Sequence, residues 1–236
     1  MHTILALETS TETASVALLT PHGCLMRASE GVQNHSLTIL PMVQEVMREA
    51  GLDFASLSGI AFGAGPGSFT GVRSACALAQ GMGFAHKLPL LPVVTLQALA
   101  QAAWSALDAP PHADLLCLLD ARMEQVYWAQ YRRQGQDWLE VAAPALSDPV
   151  QVMPQPAAAL YYCGNPAQDL PQLAACQRVS AVQRPHAQQI AQLGLRQLQA
   201  GLGVAPADAQ PLYLRNKVAQ TSAERAAKAH SGGAHE

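Results

Sequence analysis

A glycine-rich segment, residues 63–73 with the sequence GAGPGSFTGVR, constrains the fold more than any other part of the chain. An apolar run precedes it at residues 57–62 and a run of small residues follows it at 74–85, an order typical of a buried strand, a tight turn and a helix. Glycine adopts positive φ and lets another group approach the backbone closely. Ser68 or Thr70 is suited to cap the helix, whose free N–H groups and positive dipole end favour an anion.

The chemistry of this turn stays open between two interpretations. The segment lacks the Gly-Lys-Ser/Thr ending of a P-loop and does not have the GxGxxG spacing of dinucleotide-binding turns. It is either a loop that approaches a phosphate, through Gly65, Gly67 and Ser68, or a structural turn that brings a helix onto a sheet. The residues alone favour neither.

Composition indicates a folded protein without a nucleic-acid-binding face of its own. Half of the 236 residues are hydrophobic and 13% are charged, which argues against disorder. The net charge of −3 argues against RNA binding through a basic face, so an RNA contact would need a partner. The five cysteines have no CxxC spacing, and the sequence has neither a basic signal-peptide start nor an apolar run of membrane-spanning length. We expect a soluble, cytoplasmic protein without membrane association.

A pattern of strand, acid-bearing turn, strand, turn and strand occurs twice, beginning at Thr3 and again at Asp114. Glu8 and Asp120 follow the first strand of each copy. The repetition predicts two related lobes that face a cleft, with these two carboxylates at equivalent turns, although two unrelated meanders would give the same pattern. For Glu8, a polar hairpin end and a contact with phosphate or metal-bound water are both compatible with the turn.

The proline-containing stretch at residues 108–112 is the expected boundary between the lobes. We predict an N-terminal lobe at 1–108 and a C-terminal lobe at 109–219, whose last segment, near 205–219, packs back on the first lobe. Residues 220–236 are small, polar and charged, which predicts a disordered tail.

Two helices are predicted in the first lobe, and the second has almost no polar face. The first spans residues 34–50, and Pro41 places its regular start near Thr38, because proline fits the first helical turn. The second spans residues 72–85 and carries only three polar side chains. A helix with one solvent face has a polar stripe. Both sides of this helix therefore need cover, one from the sheet and the other from a further helix of this chain or from a second protein.

The sequence contains no recognisable catalytic constellation. There is no HExxH or HxxxH pair and the eight histidines are scattered, so we predict no metal site. Ser68 lies outside a GxSxG elbow, and Cys76 falls inside an apolar helix. We therefore predict no catalytic residue.

Five separated segments resemble the TsaB (YeaZ) family in the same order: LALETST, NHSLTILPMVQEVM, GAGPGSFTGVR, LLDARMEQVYWAQY and PLYLRNKVA. The resemblance implies an α/β, two-lobed actin-like ATPase (ASKHA) fold, each lobe a mixed sheet with helices. It also implies a non-catalytic subunit of the bacterial machinery that makes threonylcarbamoyladenosine (t6A) next to the tRNA anticodon. The catalytic paralogue, TsaD, has an HxxxH metal motif after its own glycine-rich helix, where this chain offers only His86.

The resemblance further implies that a TsaD-type paralogue docks on the two helices that start near Thr38 and Thr70, or that two copies of the chain pair through them. The residues expected at this interface are Leu37, Leu40, Val43, Met47, Arg73, Cys76, Ala79 and Gly83. Ala79→Arg is expected to break the association and leave the fold intact. A TsaE-type ATPase is expected on the assembly, with ATP or ADP at the complex interface rather than in a private pocket, and with tRNA reached only through the complex.

Two other functions stay open. An autonomous actin-like ATPase or phosphotransferase would use Glu8, Asp120 and the glycine-rich turn, but these turns lack an obvious lysine or carboxylate pair for Mg²⁺ and phosphoryl transfer. A glycoprotease-type peptidase, implied by older naming of the wider family, ranks last because no peptidase constellation is present.

Overall fold

The computed structural model describes residues 2–31, 35–107, 110, 112–167, 170–174, 176–179 and 181–215. Within them the chain forms two sheets of five strands each. The first sheet contains β1 (Ile4–Glu8), β2 (Thr13–Thr20), β3 (Gly23–Glu30), β4 (Gly59–Gly65) and β5 (Leu90–Val94). The second contains β6 (Asp114–Asp120), β7 (Val126–Gln134), β8 (Asp137–Ser147), β9 (Leu160–Asn165) and β10 (Gln177–Val179).

The two sheets are one topology built twice. Their strand orders are β3-β2-β1-β4-β5 and β8-β7-β6-β9-β10. In each sheet the first strand is central, antiparallel to the strand that follows it and parallel to the strand on its other side. The predicted two-lobed α/β fold is confirmed. Glu8 and Asp120 are the last residues of the two equivalent central strands.

Four helices cover the sheets in the described part of the chain. Helices α1 (His35–Ala50) and α2 (Phe69–His86) pack on one face of the first sheet, and α4 (Ala187–Gln199) packs on the opposite face. Helix α3 (Thr95–Ser105) follows the first sheet in the chain but packs on the second, whereas α4 follows the second sheet but packs on the first. These two helices therefore tie the lobes together, and the lobe boundary at residue 108 stays a prediction.

The stretch that follows α4 runs along the first lobe. Val204 and Leu90 exchange two backbone hydrogen bonds of 2.9 Å, which extends the pairing beyond β5. Further along, the Leu212 N–H donates to the Ala64 carbonyl at 2.7 Å, and the Gln80 amide donates to the Ala209 carbonyl at 3.1 Å. Residues 216–219 and the predicted tail, 220–236, lie outside the described residues.

One local prediction needs correction. Helix α1 begins at His35, so Pro41 is its seventh residue and not part of its first turn. Proline there removes one hydrogen bond, but the buried side chains of Ile39 and Val43 hold the helix on the sheet. At the start of α3, the buried hydroxyl of Thr95 accepts a hydrogen bond of 3.1 Å from the Gly65 N–H.

No helix among the described residues combines the length and apolarity needed to cross a bilayer.

Candidate functional site

The turn between β1 and β2 packs directly on the glycine-rich segment. The Thr9 hydroxyl donates to the Gly71 carbonyl, and the Ser68 N–H donates to the Ser10 carbonyl, both at 2.7 Å. A Cβ at Gly71 would overlap the Thr9 carbonyl oxygen, and one at Gly67 would lie 2.5 Å from that of Ser10. The glycines are therefore required by close approach of the chain's own backbone.

These contacts support the structural interpretation of the glycine-rich segment. Ser68 caps α2 as expected, its hydroxyl accepting from the Gly71 N–H at 3.4 Å. Gly65 has φ +104°, and a Cβ there would lie 3.0 Å from the Leu212 carbonyl oxygen. An approach of phosphate to Gly65, Gly67 and Ser68 stays a prediction, while Ser10 and Leu212 are the neighbours that the fold provides.

Glu8 is completely buried at the end of β1. Its Oε1 accepts from the Ser10 N–H at 2.5 Å, and its Oε2 has no hydrogen-bond partner among the described residues. Oε2 points to Gly63, where a Cβ would overlap it. Burial raises the pKa of Glu8 from 4.5 to about 7, against the opposing effect of the hydrogen bonds from Ser10. Glu8 does not line the space between the lobes, so its surroundings favour a hairpin-end role over a ligand contact.

Asp120, at the equivalent position after β6, has different surroundings. Its Oδ1 accepts from the Arg122 N–H at 2.7 Å, and its Oδ2 lies 3.3 Å from Nη1 of the same arginine. The three residues Arg122, Met123 and Glu124 all have positive φ, between 54° and 60°. Positive φ is costly for residues other than glycine, which marks this turn as a strained segment.

A cleft of about 730 Å³, the interlobe cleft, lies between these two turns, the start of α2 and residues 212–215. Its charged lining residues are Glu12, Asp120, Arg122, Arg184 and Arg215. Glu12 belongs to the first turn and contacts two arginines of the second half of the chain. Its Oε1 lies 2.9 Å from Nη2 of Arg122, and its Oε2 lies 3.6 Å from Nε of Arg184.

Sequence reasoning identified neither Glu12 nor Arg184 as a cleft residue. Glu12 had a weak signal, since it belongs to the same acidic turn as Glu8. Arg184 had none, because the two residues are 172 positions apart and only the fold joins them. The described residues contain no group of three or more His, Cys, Asp or Glu side chains that could hold a metal ion.

The partner interface on α1 and α2 stays a prediction, and burial divides its eight residues into two groups. Five of its eight residues are buried inside the chain: Val43, Met47, Cys76, Ala79 and Gly83. They pack in the core of the first lobe, where Cys76 also contacts the Ala209 carbonyl and Gly83 faces Pro206, so little of their surface is left for a partner. Leu37, Leu40 and Arg73 are exposed, with Leu37 at 68% and Leu40 at 43%.

The exposed stripe of α2 consists of Arg73, Ala77, Gly81 and Phe84, and Phe84 is 81% exposed. The sequence did not identify Ala77, Gly81 and Phe84 as exposed, because small and apolar residues occur on every side of this helix. Their spacing therefore does not distinguish the face on the sheet from the face in solvent. Together with Leu37 and Leu40, this stripe forms an apolar surface that we call the α1–α2 face.

Arg73 lies at one end of the α1–α2 face and is held in place by two rings. Its guanidinium carbon lies 3.8 Å from the centroid of Phe69, and its Nε donates to the Tyr213 hydroxyl at 2.8 Å. The pair links the start of α2 to the C-terminal stretch, at the rim of the interlobe cleft.

Comparisons with known proteins agree with this architecture. A protein-family model described as "TsaD: tRNA N6-adenosine threonylcarbamoyltransferase" matches residues 27–223. The tRNA threonylcarbamoyladenosine biosynthesis protein TsaB of Escherichia coli (strain K12) is 35% identical over 224 residues, covering 92% of this chain and 96% of that protein. The protein of the same name from Haemophilus influenzae is 40% identical over 162 residues, covering 65% of this chain and 67% of that protein.

Solved structures give the same result. The structure of YeaZ from Pseudomonas aeruginosa superposes with a TM-score of 0.79 at 34% identity, covering 91% of this chain and all of that one. A second Pseudomonas aeruginosa structure, described as an uncharacterized protein with similarity to the peptidase YeaZ, has a TM-score of 0.81. The matches extend over both sheets and agree with the two-lobed actin-like α/β fold. The chain therefore belongs to the TsaB (YeaZ) family.

Proposed function

We propose that this chain is a non-catalytic subunit that binds and activates a TsaD-type paralogue for synthesis of threonylcarbamoyladenosine on tRNA. The observation that carries the proposal is the α1–α2 face, where Leu37 and Leu40 of α1 and Phe84 of α2 are exposed together with small residues of α2. Exposed apolar surface of this kind on a folded chain is typical of a protein-binding site. The names of two relatives assign those proteins to threonylcarbamoyladenosine biosynthesis, and this is the reason for proposing the same pathway for this chain.

The shape of the α1–α2 face suits helices of a related lobe. Ala77 and Gly81 leave the backbone of α2 open to close approach, and no atom lies within 4 Å of where a Cβ of Gly81 would be. Phe84 projects beyond them as an anchor of the type that dominates binding energy at interfaces. A paralogue of the same fold, or a second copy of this chain when no paralogue is present, offers a helix pair of matching form.

The surroundings of the acidic residues support a non-catalytic role. Glu8 points into β4 rather than into the interlobe cleft, and Asp120 is paired with Arg122. His86, the residue of this chain near the position of the paralogue's HxxxH motif, stacks on Phe54 with ring centroids 4.4 Å apart. An autonomous ATPase or phosphotransferase is the second candidate, and the interlobe cleft is the observation that favours it.

Further partners follow from the same proposal. A TsaE-type ATPase docks on the assembly, and ATP or ADP lies at a complex interface rather than in a private site. The net charge of −3 supports tRNA contact through the complex instead of through this chain alone. This chemistry on tRNA takes place in the cytoplasm.

The test is isothermal titration of the chain against a TsaD-type partner. We expect Phe84→Asp to weaken binding by about 100-fold, because it replaces the most exposed apolar side chain of this face with a charge. Val150→Asp is the matched control, since Val150 is 77% exposed on the second lobe and lies away from this face. Equal affinity of the two variants would contradict the proposal, and ATP turnover by the chain alone would favour the second candidate.

A pair of arginine variants separates surface from core on the same helix. Ala77→Arg changes an exposed position and is expected to block association while the circular dichroism spectrum is unchanged. Ala79→Arg places a charge at a fully buried position and is expected to unfold the first lobe, contrary to the expectation from sequence. Size-exclusion chromatography with circular dichroism distinguishes the two results.

A further inference from the structure

The guanidinium of Arg73 is an exposed cation on an otherwise apolar surface, the α1–α2 face, and aromatic rings fix its orientation. Its central carbon lies 3.8 Å from the centroid of Phe69 and 5.5 Å from that of Tyr213. A guanidinium that already stacks on a ring loses less side-chain freedom when it binds an acceptor. Arg73 is therefore oriented before a partner arrives.

The stacked side chain keeps donors for a further acceptor. Its Nε donates to the Tyr213 hydroxyl, and none of the ion pairs among the described residues involves Arg73. The two terminal amino groups of an arginine, Nη1 and Nη2, match the two oxygens of a carboxylate in a bidentate ion pair. Arg73 is thus suited to receive an acidic side chain from a partner on the α1–α2 face.

A second copy of this chain has no free acid to offer through the same two helices. Helix α2 contains neither aspartate nor glutamate. The acidic residues of α1 are Glu45 and Glu49, and both already pair with Arg27 of β3. A symmetric pair of copies places the same helices on both sides of the contact. Arg73 would enter that contact without a carboxylate, and an unpaired charge that loses its water disfavours association.

This difference allows one cation to influence the choice of partner. Specificity is a difference between two affinities, and a charge that one partner pairs and another leaves unpaired increases the difference. The exposed apolar side chains of the face, such as Leu40 and Phe84, can contact a helix of either partner and do not discriminate in this way. Arg73 is therefore the residue of this face whose chemistry distinguishes an acidic helix from a second copy.

We propose that Arg73 is a specificity-determining residue of the α1–α2 face, which forms a bidentate ion pair with a carboxylate on the docking helix of the paralogue and disfavours pairing of the chain with itself. This inference rests on the partner role proposed above and adds the chemistry of the partner, a helix with an aspartate or glutamate opposite the start of α2. Phe69 and Tyr213 are positioning residues, because they hold the guanidinium and do not pair with the acid.

The experiment measures binding of a TsaD-type partner by calorimetry at low and at high sodium chloride, and self-association by sedimentation equilibrium. We expect Arg73→Gln to weaken partner binding by about tenfold at low salt and by much less at high salt, where the ion pair is screened. Self-association of the same variant should not weaken, because Arg73 has no carboxylate to pair with there. Circular dichroism verifies that each variant is folded.

Two further variants separate the ion pair from other effects of the substitution. Arg178→Gln is the matched control, because Arg178 is an exposed arginine of the second lobe that lies 6.0 Å from the ring centroid of Tyr162. It should leave partner binding unchanged at both salt concentrations. Tyr213→Phe removes the hydroxyl that accepts from Arg73 but keeps the ring and the cation. It should weaken binding by at most about threefold and preserve the salt dependence.

The inference is overturned if Arg73→Gln binds the partner as tightly as the unaltered chain, if its loss is equal at both salt concentrations, or if self-association weakens by the same factor. An equal loss in Tyr213→Phe also overturns it, since Arg73 would then act only by holding Tyr213. The Phe84→Asp variant separates this inference from the proposed function. Partner binding that is insensitive to Phe84→Asp contradicts both, whereas a loss in Phe84→Asp without one in Arg73→Gln contradicts only the role of Arg73.

Discussion

The turns after β1 and β6 occupy the same place in two copies of one topology, yet their side chains experience opposite surroundings. Glu8, Thr9 and Ser10 in the first turn are almost fully buried, and the backbone of Thr9 and Ser10 lies against Gly71 and Gly67. In the second turn Asp120 is partly exposed, Arg122 is exposed and the backbone is in the left-handed region.

The difference arises from what packs on each turn. The start of α2 and the residues just before it lie so close to the first turn that there is no room for a Cβ atom at Gly67 or Gly71. The second turn faces the interlobe cleft, and Arg215 holds it through carbonyl oxygens. Equivalent topology thus provides equivalent positions but not equivalent chemistry: one acid is kept from solvent and the other is paired with a cation.

The largest effect is expected where the first turn meets α2. Gly71→Ala should lower the free energy of unfolding by about 3 kcal/mol, because the new methyl group would overlap the Thr9 carbonyl oxygen and backbone must move. Gly81→Ala is the control in the same helix; nothing lies within 4 Å of its Cβ position, so alanine should stabilise the helix by up to about 1 kcal/mol. Urea denaturation measures both. Equal stability of the two variants would contradict the packing described for the first turn.

A smaller effect, and one that depends on pH, is expected from the buried acid. The pKa of Glu8 is raised to about 7 in the fold, so the folded chain holds this proton more tightly than the unfolded chain does. Its contribution to stability is complete below pH 4.5 and is lost as the pH rises to about 7. A shift of this size corresponds to a loss on the order of 3 kcal/mol.

Glu8→Gln removes this titration and isolates it. The unfolding free energy of the variant, relative to that of the unaltered chain, should rise by about 2 kcal/mol when the pH is raised from 5 to 8. Urea unfolding at the two pH values measures this change. Asp120→Asn, at the equivalent turn, is the control; its pair with Arg122 is partly exposed, so the substitution should change stability by less than about 1 kcal/mol. A constant difference between Glu8→Gln and the unaltered chain across this range would mean that Glu8 does not titrate there.

The duplicated topology could be predicted from sequence because its signals are local. Strand alternation and an acid-bearing turn recur at Thr3 and Asp114, and each signal needs only neighbouring residues. The orientation of α2 could not be predicted, because Ala77 and Ala79 are chemically identical and only packing decides that one is exposed and the other buried.

The charged side chains of the interlobe cleft were beyond prediction for a related reason. Arg184 reaches Glu12 only because α4 crosses to the first sheet after the chain has completed the second. No periodicity or spacing encodes that crossing. Burial of Glu8 was equally hidden, since it depends on Gly63 leaving room on β4.

The smallest effect is expected in the second turn and tests whether its backbone is strained. Met123→Gly should raise the free energy of unfolding by about 0.5 kcal/mol, because glycine adopts the observed φ of 54° without steric cost. This net value allows for the lost contact between the Met123 sulfur and Arg215, which opposes the gain. Ala121→Gly, in the same turn at a residue without positive φ, should instead lower the free energy of unfolding by about 1 kcal/mol, because glycine there adds freedom to the unfolded chain and removes a buried methyl group. Opposite signs of the change in unfolding free energy for these two variants would establish that contacts with neighbouring residues hold the second turn in a backbone conformation that its own residues disfavour. Destabilisation by both would mean that the left-handed turn costs little, and the contrast with the first turn would then lie in burial alone.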